Sequence, residues 1–410
     1  MGLQLCQLCE IAYFVTDKIP LENVLLTDYV TTDSLLPNKE GRCIAQNLPP
    51  QKCVLTHYKC GDVLVANIRP YLKKIWFADR EGGASADVLV FRAKSGHSQE
   101  FLYASLLQDS FYDYVMKGKK GSKMPRGDKD QIMRYSIPKL SLAEEACIGN
   151  MILSFCTKIN VNRRINDNSE AMAKQLYDYW FVQFDFPNEE GKPYKSSGGA
   201  MVWNEKLKRE IPSCFEVVNM GDLCDFRNGI NYSRDETGND YQIVNVRNIS
   251  SSRILLDGED FDVITVPTSK AENYVLKPDD IIIARSGCPG STRLLLSPAN
   301  TLFCGFIICC SPNDSSMRNY LVYCLKQLEG TTATTSGGSI LQNVSQDTLK
   351  GLHVIVPQKQ IIDKFNKTIE LIFARMLNCL KESKALTKQR DELLPLLMNG
   401  QATVNYHLSL

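Results

Sequence analysis

An internal repeat with an offset of about 218 residues is the feature that most constrains this chain. Residues 58–66 and 276–284 share one order: a turn, an acidic residue and a short apolar strand. Nearly the same offset relates two further pairs of segments, 121–124 with 338–341 and 136–138 with 355–357. A period this long exceeds the roughly 20–50 residues of solenoid repeats, so the sequence predicts a duplicated domain.

Length and composition fit two to three ordinary domains. The chain has 410 residues, with 47 Lys and Arg against 46 Asp and Glu, a net charge of +1. This balance excludes a uniformly basic nucleic-acid binder but permits local basic patches. No apolar run approaches the roughly 20 residues that span a bilayer, and the N-terminus lacks a secretory signal pattern. Fifteen scattered cysteines, an odd number, are typical of a reducing compartment, so we expect a cytoplasmic protein.

Residues 357–400 predict a long helix, with Pro357 in its first turn, where proline is tolerated. Core-type positions recur at spacings of three and four for about five heptads. These positions are Ile362, Phe365, Ile369, Ile372, Met376, Cys379, Ser383, Leu386, Arg390, Leu393 and Leu397.

Residues 141–184 predict a second long helix, opened by a capping box between Ser141 and Glu144. Its seam has a polar centre, a feature that fixes register in coiled coils. The seam positions are Ile148, Ile152, Phe155, Ile159, Asn162, Asn166, Ser169, Ala173, Leu176 and Trp180. Each helix would be about 60 Å long. Neither is apolar all round, so we expect them to pack on each other.

The remaining segments are short β-rich runs broken by turns, with one helix expected in each half, near 99–116 and 317–328. The predicted fold class is therefore α+β: two globular domains related by a pseudo-twofold internal repeat and joined by two long antiparallel coiled-coil helices. The predicted boundaries are 1–140 for the first domain, 141–184 for the first helix, 185–211 for a Pro-, Gly- and Ser-rich linker, 212–356 for the second domain, 357–400 for the second helix and 401–410 for a tail.

Catalytic patterns are missing from the sequence. It lacks the cofactor and catalytic loops of a methyltransferase, the GxxxxGK[ST] phosphate-binding loop of a nucleoside triphosphatase and the paired carboxylates and lysine of a metal-dependent nuclease. Cys6 and Cys9 form one isolated CxxC, whereas structural zinc usually takes two such pairs, so buried thiols are the favoured interpretation. We expect a binding protein that is not itself an enzyme and carries no metal or cofactor.

The strongest candidate for binding chemistry is a basic loop in residues 117–134. Seven basic residues against two acidic ones give it a local net charge of +5, which suits contact with phosphates. Lys119, Lys120, Lys123 and Arg126 are the candidate residues. A solvated surface loop is the alternative interpretation.

The counterpart in the second half, residues 330–345, has hydroxyls and amides in place of cations. Ser339, Gln342 and Asn343 could bond phosphates or base edges without charge. A second surface is predicted at Arg69, Lys73 and Lys74, between Tyr71 and Trp76, with Arg285 and Arg293 in the matching part of the second half. Arginine is suited to bidentate contact with guanine.

Four stretches give the chain a resemblance to the specificity subunit of type I restriction–modification systems. Residues 390–400 read Arg-Asp-Glu-Leu-Leu-Pro-Leu-Leu-Met-Asn-Gly, which is similar to the family's Arg-Asp-x-Leu-Leu-Pro-x-Leu-Met-x-Gly helix ending. Residues 175–187 and 191–199 resemble the family's central region. Residues 61–64 resemble its Gly-Asp-Ile-Leu strand, although Asp279 replaces the glycine in the second half.

The resemblance implies a non-catalytic subunit with two target-recognition domains, each reading one half of an asymmetric, bipartite site in double-stranded DNA. It implies that the helices act as a spacer and dock two modification subunits that carry S-adenosylmethionine. Restriction subunits that use ATP and Mg would complete a site-specific deoxyribonuclease and adenine-N6 methyltransferase.

By position alone, Tyr177, Trp180, Leu394 and Met398 are candidates for partner docking, and packing between the two helices is the alternative for all four. Two other functions compete with the resemblance: a two-domain scaffold that binds only protein, and a fused restriction–modification enzyme, which the missing catalytic patterns disfavour.

Overall fold

The computed structural model describes residues 4–404 except 52, 120, 122, 234, 251–252, 257, 259–260, 296–297 and 330–343. The chain divides into two compact units. The first unit comprises residues 1–163 and 381–410, and the second comprises residues 164–380. Each long helix therefore contributes one part to each unit.

The first unit is a mixture of short strands and helices. Its described strands are β1 (Leu5–Gln7), β2 (Ala12–Phe14), β3 (Lys18–Pro20), β4 (Tyr29–Val30), β5 (Val54–Tyr58), β6 (Val63–Ala66), β7 (Ile75–Phe77), β8 (Gly82–Ala84), β9 (Val88–Ala93) and β10 (Ser136–Pro138). Its helices are α1 (Leu8–Ile11), α2 (Gln99–Leu107), α3 (Asp109–Lys117), α4 (Lys129–Ile132) and the start of α5 (Leu142–Tyr177).

The second unit repeats this mixture. Its described strands are β11 (Met201–Asn204), β12 (Arg209–Pro212), β13 (Glu216–Asn219), β14 (Cys224–Asn228), β15 (Asn239–Val244), β16 (Leu255–Leu256), β17 (Asp262–Val266), β18 (Ile281–Ala284), β19 (Thr292–Leu295), β20 (Thr301–Phe303), β21 (Ile307–Pro312) and β22 (His353–Val356). Its helices are α6 (Met220–Leu223), α7 (Val246–Ile249), α8 (Thr268–Ala271), α9 (Arg318–Lys326), α10 (Gln346–Lys350), the end of α5 and the first part of α11 (Lys359–Met398).

Both units are built on the same main sheet, as the sequence repeat predicts. The strand order is β2-β9-β6-β7 in the first unit and β14-β21-β18-β19-β16 in the second. The first four strands of each sheet are paired antiparallel throughout. In each unit a two-stranded ribbon, β1 with β10 or β13 with β22, connects the start of the domain to the strand that precedes its long helix. The α+β fold and the duplication are confirmed.

The acidic residue of the repeat closes the turn before the central strand. Asp62 Oδ2 accepts a 2.7 Å hydrogen bond from the amide of Lys59, and Asp280 Oδ2 accepts a 2.8 Å bond from the amide of Lys277. Both carboxylates are buried, and a buried acceptor must be satisfied within the protein. The recurrence of the acid in the sequence therefore has a structural cause.

The two helices keep their predicted seams on the inside. Every predicted seam position of α5 and α11 is buried or half-buried, including the polar Asn162, Asn166 and Ser169. In the first unit Asn162 donates a 2.7 Å bond to Glu382, and the Arg390 guanidinium lies 4.0 Å from the Cys156 thiol. The residue numbers of the contacting pairs rise along α5 while they fall along α11, so the two helices run antiparallel in the first unit.

Local details differ from the sequence predictions in three places. The Ser141–Glu144 capping box forms as predicted, but α11 begins at Lys359, two residues after Pro357. The helix expected over 99–116 is interrupted at Gln108, which has extended dihedral angles. The predicted linker contains the β11–β12 hairpin, because Ile211 and the aromatic residues around it bury against the core of the second unit.

No helix in the described ranges is long and apolar enough to cross a membrane.

Candidate nucleic-acid interface

Two basic segments that are far apart in the sequence lie side by side in the first unit. The amide of Arg69 donates a 2.8 Å hydrogen bond to the carbonyl of Pro125, and the amide of Gly127 donates a 3.3 Å bond to the carbonyl of Asn67. Ile68 and Arg126 form an isolated bridge between these two bonds. We call residues 67–74 and 118–127 loop pair 1. The predicted Arg69 surface and the predicted basic loop are thus one surface.

Three of the predicted cations project from loop pair 1 into solvent. The side chains of Arg69, Lys119 and Lys123 are exposed, and none of them forms an ion pair with another described residue. Arg69 has a left-handed backbone, with φ at 52°, and the neighbouring Tyr71 is also exposed. A cluster of unpaired cations with an exposed aromatic ring matches the needs of a phosphate-tracking surface. Lys120 lies outside the described residues.

Arg126 is exposed but held by an acidic partner. Its guanidinium donates two hydrogen bonds to the Asp87 carboxylate, of 3.2 and 3.4 Å. Asp87 immediately precedes β9, so the ion pair joins the loop to the main sheet. The partner fixes the direction of the guanidinium and offsets part of its charge, which suits positioning more than long-range attraction.

Lys73 is also paired, and its partner anchors the loop to the rest of the unit. The Asp109 carboxylate accepts contacts from Lys73 at 2.9 Å and from Lys39 at 2.8 Å. Lys39 in turn lies 3.8 Å from Asp391 on α11. Partial burial raises the pKa of Asp109, but the hydrogen bonds from the two lysines outweigh it, and the net pKa lies below its ordinary value.

Two of the residues predicted to contact DNA have partners within the chain. The Lys74 ammonium donates to the carbonyl of Thr32, so it holds two loops together. Arg293 has a side chain only 2% exposed, paired with Glu329 and bonded to the carbonyl of Thr292 at 2.6 Å. A buried, paired arginine cannot reach a base edge from this position, because leaving it would strand both charges.

A matching arrangement occurs in the second unit. Arg285 is exposed, and its carbonyl accepts a 2.9 Å hydrogen bond from the amide of Val344. Gly290, in the same turn, packs closely against the backbone of Leu328. The turn 285–291 therefore lies beside Leu328 and Val344, two described residues on either side of the Thr-, Ser- and Gly-rich segment, and we call residues 285–291 and 344–345 loop pair 2. Ser339, Gln342 and Asn343 lie outside the described residues.

The two loop pairs occupy equivalent places on the main sheets of their own units. The bond from Gly127 to Asn67 corresponds to the bond from Val344 to Arg285. The next residue in each case caps a short helix: Asp128 caps α4 and Ser345 caps α10 through side-chain oxygens. Equivalent backbone thus presents different side chains, which supports similar functions directed at different sequences.

The four predicted docking residues are buried within the chain. Tyr177 stacks on Tyr323, with ring centroids 5.5 Å apart, and Trp180 packs on Phe365 at 5.9 Å. Leu394 and Met398 belong to the core of the first unit. Packing, the alternative given for these residues, is what the structure shows, so none of the four offers a free docking surface.

Sequence reasoning missed the residues that position the cations, and one exposed aromatic. Asp87 and Asp109 were not selected because an isolated aspartate carries no pattern that marks its partner. Phe306, whose carbonyl accepts a 2.8 Å bond from the amide of Arg285, was also missed. Aligning the two halves would have paired Phe306 with Asp87, because each residue precedes the equivalent strand.

Comparisons with known proteins agree with this architecture. The S subunit of a type I restriction–modification system from M. genitalium has the same fold, with a TM-score of 0.57 and 15% identity over 97% of this chain and 96% of that one. This likeness shows that the two chains share a fold.

The family model for the type I restriction modification DNA specificity domain matches residues 212–382. The type I restriction enzyme MjaIX specificity subunit of Methanocaldococcus jannaschii is 24% identical over 76% of this chain and 71% of its own length. The HindI specificity subunit of Haemophilus influenzae is 23% identical over 91% of this chain and 94% of its own. Residues 212–382 thus match a type I restriction modification DNA specificity domain, and the chain is similar over most of its length to type I specificity subunits.

Proposed function

We propose that this chain directs a type I restriction–modification complex to an asymmetric, bipartite DNA site. Loop pair 1 would read one half-site and loop pair 2 the other, while α5 and α11 set the distance between them. The observation that carries the proposal is the equivalence of the two loop pairs. The same backbone bonds, Gly127 to Asn67 and Val344 to Arg285, occur in both units next to sequence segments that are basic in one unit and rich in hydroxyls and amides in the other.

The chemistry on the two surfaces supports different modes of reading. The exposed Arg69, Lys119 and Lys123 would neutralise phosphates along the first half-site, a contribution that falls steeply with salt. In the second unit, Arg285 and the hydroxyls and amides of residues 330–343 would act through hydrogen bonds to base edges and the backbone. The two half-sites would consequently differ in sequence.

The catalytic steps would belong to partner subunits. Two modification subunits would dock on the helices and bring S-adenosylmethionine for adenine-N6 methylation. Restriction subunits would bring ATP and Mg for DNA cleavage. This chain would supply the site and the geometry, without a cofactor of its own.

Sequencing of methylated adenines tests the proposal. The chain is expressed with its modification subunit in a host without other adenine methylases, and one motif of two unlike half-sites is expected. A hybrid in which residues 1–140 come from a relative of different specificity should change one half-site and preserve the other. A change in both half-sites would disprove independent reading.

The scaffold alternative makes the opposite prediction for binding. A gel-shift experiment with the assembled chain and modification subunit compares a duplex carrying the motif with a scrambled duplex of equal length. Preference for the motif supports the proposed function. Equal binding of both duplexes, together with an absence of motif-specific methylation, would favour a scaffold that binds only protein.

A further inference from the structure

We infer that Phe306 is a specificity-determining residue that contacts the 5-methyl group of a thymine in the second half-site. The inference rests on the proposed function and deepens it for the second unit. It assigns to one side chain a contact that is chemically unlike anything loop pair 1 can make at the equivalent position.

The exposure of Phe306 is the first observation. Its side chain is 63% exposed, whereas Phe303, three residues earlier, is fully buried. Leaving an aromatic ring in water forgoes most of the free energy that its burial would supply. Single exposed apolar residues are common on protein surfaces, so the position of the ring must decide its meaning.

That position is the edge of loop pair 2. The Phe306 carbonyl accepts a 2.8 Å hydrogen bond from the Arg285 amide, and the Arg285 carbonyl accepts one of 2.9 Å from the Val344 amide. Phe306 therefore stands one backbone bond from Arg285, at the ends of the paired strands β18 and β21. Its ring shares the surface on which we place the second half-site.

Comparison between the units provides the second observation. In the first unit the amide of Asn67 donates a 2.8 Å bond to the carbonyl of Asp87, so Asp87 is the counterpart of Phe306. The Asp87 carboxylate holds the exposed Arg126. Where the first unit positions a guanidinium, the second presents a ring that has no hydrogen-bonding atoms. The substitution changes which base feature this position can recognise.

Base chemistry identifies the feature. Donors and acceptors cover the major-groove edges of all four base pairs, and the thymine 5-methyl is their apolar group. A phenyl ring can discriminate between bases there by apolar contact with that methyl group, as Phe does in protein–DNA recognition. Phe306 thus suits a thymine beside the base or phosphate that Arg285 contacts.

The test replaces thymine by uracil, which lacks only the methyl group. Duplexes carry the methylation motif with each thymine of the second half-site, on either strand, changed in turn to uracil. They are titrated with the full chain in complex with its modification subunit. For the chain with its original sequence, we expect one position at which uracil weakens binding about fourfold, because a buried carbon contributes about 0.8 kcal/mol. Phe306→Ala should bind more weakly and lose this sensitivity.

Matched variants guard against a general loss of structure. Val263→Ala removes another side chain that is 63% exposed in the same unit, on β17 and outside loop pair 2, and should retain the full sensitivity to uracil. Phe306→Leu keeps an apolar group and should retain part of it. Discrimination at the other base pairs of the second half-site should be unchanged in all three variants, which would show that the second unit is folded.

The outcomes separate this inference from the proposed function. Equal uracil sensitivity in the unmodified chain and Phe306→Ala overturns the inference, and so does the absence of any sensitive thymine. A loss of affinity in Phe306→Ala that is independent of uracil also overturns it, since the ring would then act on base stacking. If the unmodified complex shows no preference for any motif, the proposed function itself fails.

Discussion

Arg92 donates two hydrogen bonds to the buried carboxylate of Asp62, and each is 2.7 Å long. The second unit satisfies the equivalent Asp280 differently. Arg227, on the neighbouring strand β14, donates one 2.5 Å bond, and Ser311 on β21 donates another. Ser311 stands where Arg92 stands in the first unit, so the guanidinium has moved to the next strand while the acid has stayed. The duplicated sheet therefore retains the buried charge and changes its source of compensation.

Removing the buried acid should be far more costly than removing an exposed one. We expect Asp62→Ala to lower the free energy of unfolding of the first unit by about 3 kcal/mol, because the partly buried Arg92 would keep only the exposed Asp17 as an acidic partner. Asp87→Ala, which breaks the exposed pair with Arg126, should cost less than about 1 kcal/mol. Urea denaturation of the two variants measures the difference. Similar losses of unfolding free energy in the two variants would show that burial does not determine how much these ion pairs stabilise the unit.

Because the pKa of Asp109 is lowered, its contribution to the free energy of unfolding should be lost at acid pH. Its ion pairs with Lys39 and Lys73 are complete above the ordinary aspartate pKa of about 4 and are lost as pH falls through the lowered pKa. The stability difference between the unmodified chain and Asp109→Asn should thus be constant near neutrality and shrink below about pH 4. Urea denaturation across this range measures it. Asp113→Asn, an exposed position on the same helix, is the matched control.

The exposed cations of loop pair 1 should set the salt dependence of binding. Lys119→Ala combined with Lys123→Ala removes two expected phosphate contacts, so the slope of log affinity against log salt should fall by up to about 2 units. Lys74→Met provides the control, since Lys74 is bonded to the Thr32 carbonyl, and its slope should match that of the unmodified chain. Filter-binding measurements at several salt concentrations give the slope for each variant. An equal fall for Lys74→Met would mean that exposure does not identify the contacts.

Lengthening both helices should lengthen the DNA spacer. Four residues inserted after Arg163 and four before Lys381 preserve the Asn162–Glu382 bond and extend each helix by about 6 Å. Base pairs rise about 3.4 Å, so the spacer should grow by one or two base pairs. Four residues turn a helix about 40° past a full rotation, which matches one base pair better. The methylation motif of the variant gives the answer, and an unchanged spacer in an active complex would contradict the role of the helices.

Periodic features could be predicted because they depend only on residues that are close together in the sequence. The helix seams follow spacings of three and four, and each seam residue from Ile148 to Trp180 is buried or half-buried. The Ser141–Glu144 cap needs only a three-residue separation to form. Such patterns reflect the repeat of the helix itself and need no knowledge of distant partners.

The composition of loop pair 1 could be predicted only in part. The sequence identified both basic segments but could not show that the amide of Arg69 bonds to the carbonyl of Pro125. Nor could it show that Asp109 would attract Lys39 and Lys73 together. These contacts join residues that are tens of positions apart, and nothing in the local pattern of either segment specifies the other.

The sequence by itself determined the duplication, the two amphipathic helices and the resemblance to type I specificity subunits, since each depends on order and spacing along the chain. Only the tertiary structure decided which cations are free to meet DNA. Arg285 and Arg293 stand on the same stretch of sequence, yet Arg285 reaches solvent and Arg293 is buried against Glu329. The reason is physical: whether a charge remains in water depends on the partners and the burial that folding brings to it, and these come from distant parts of the chain.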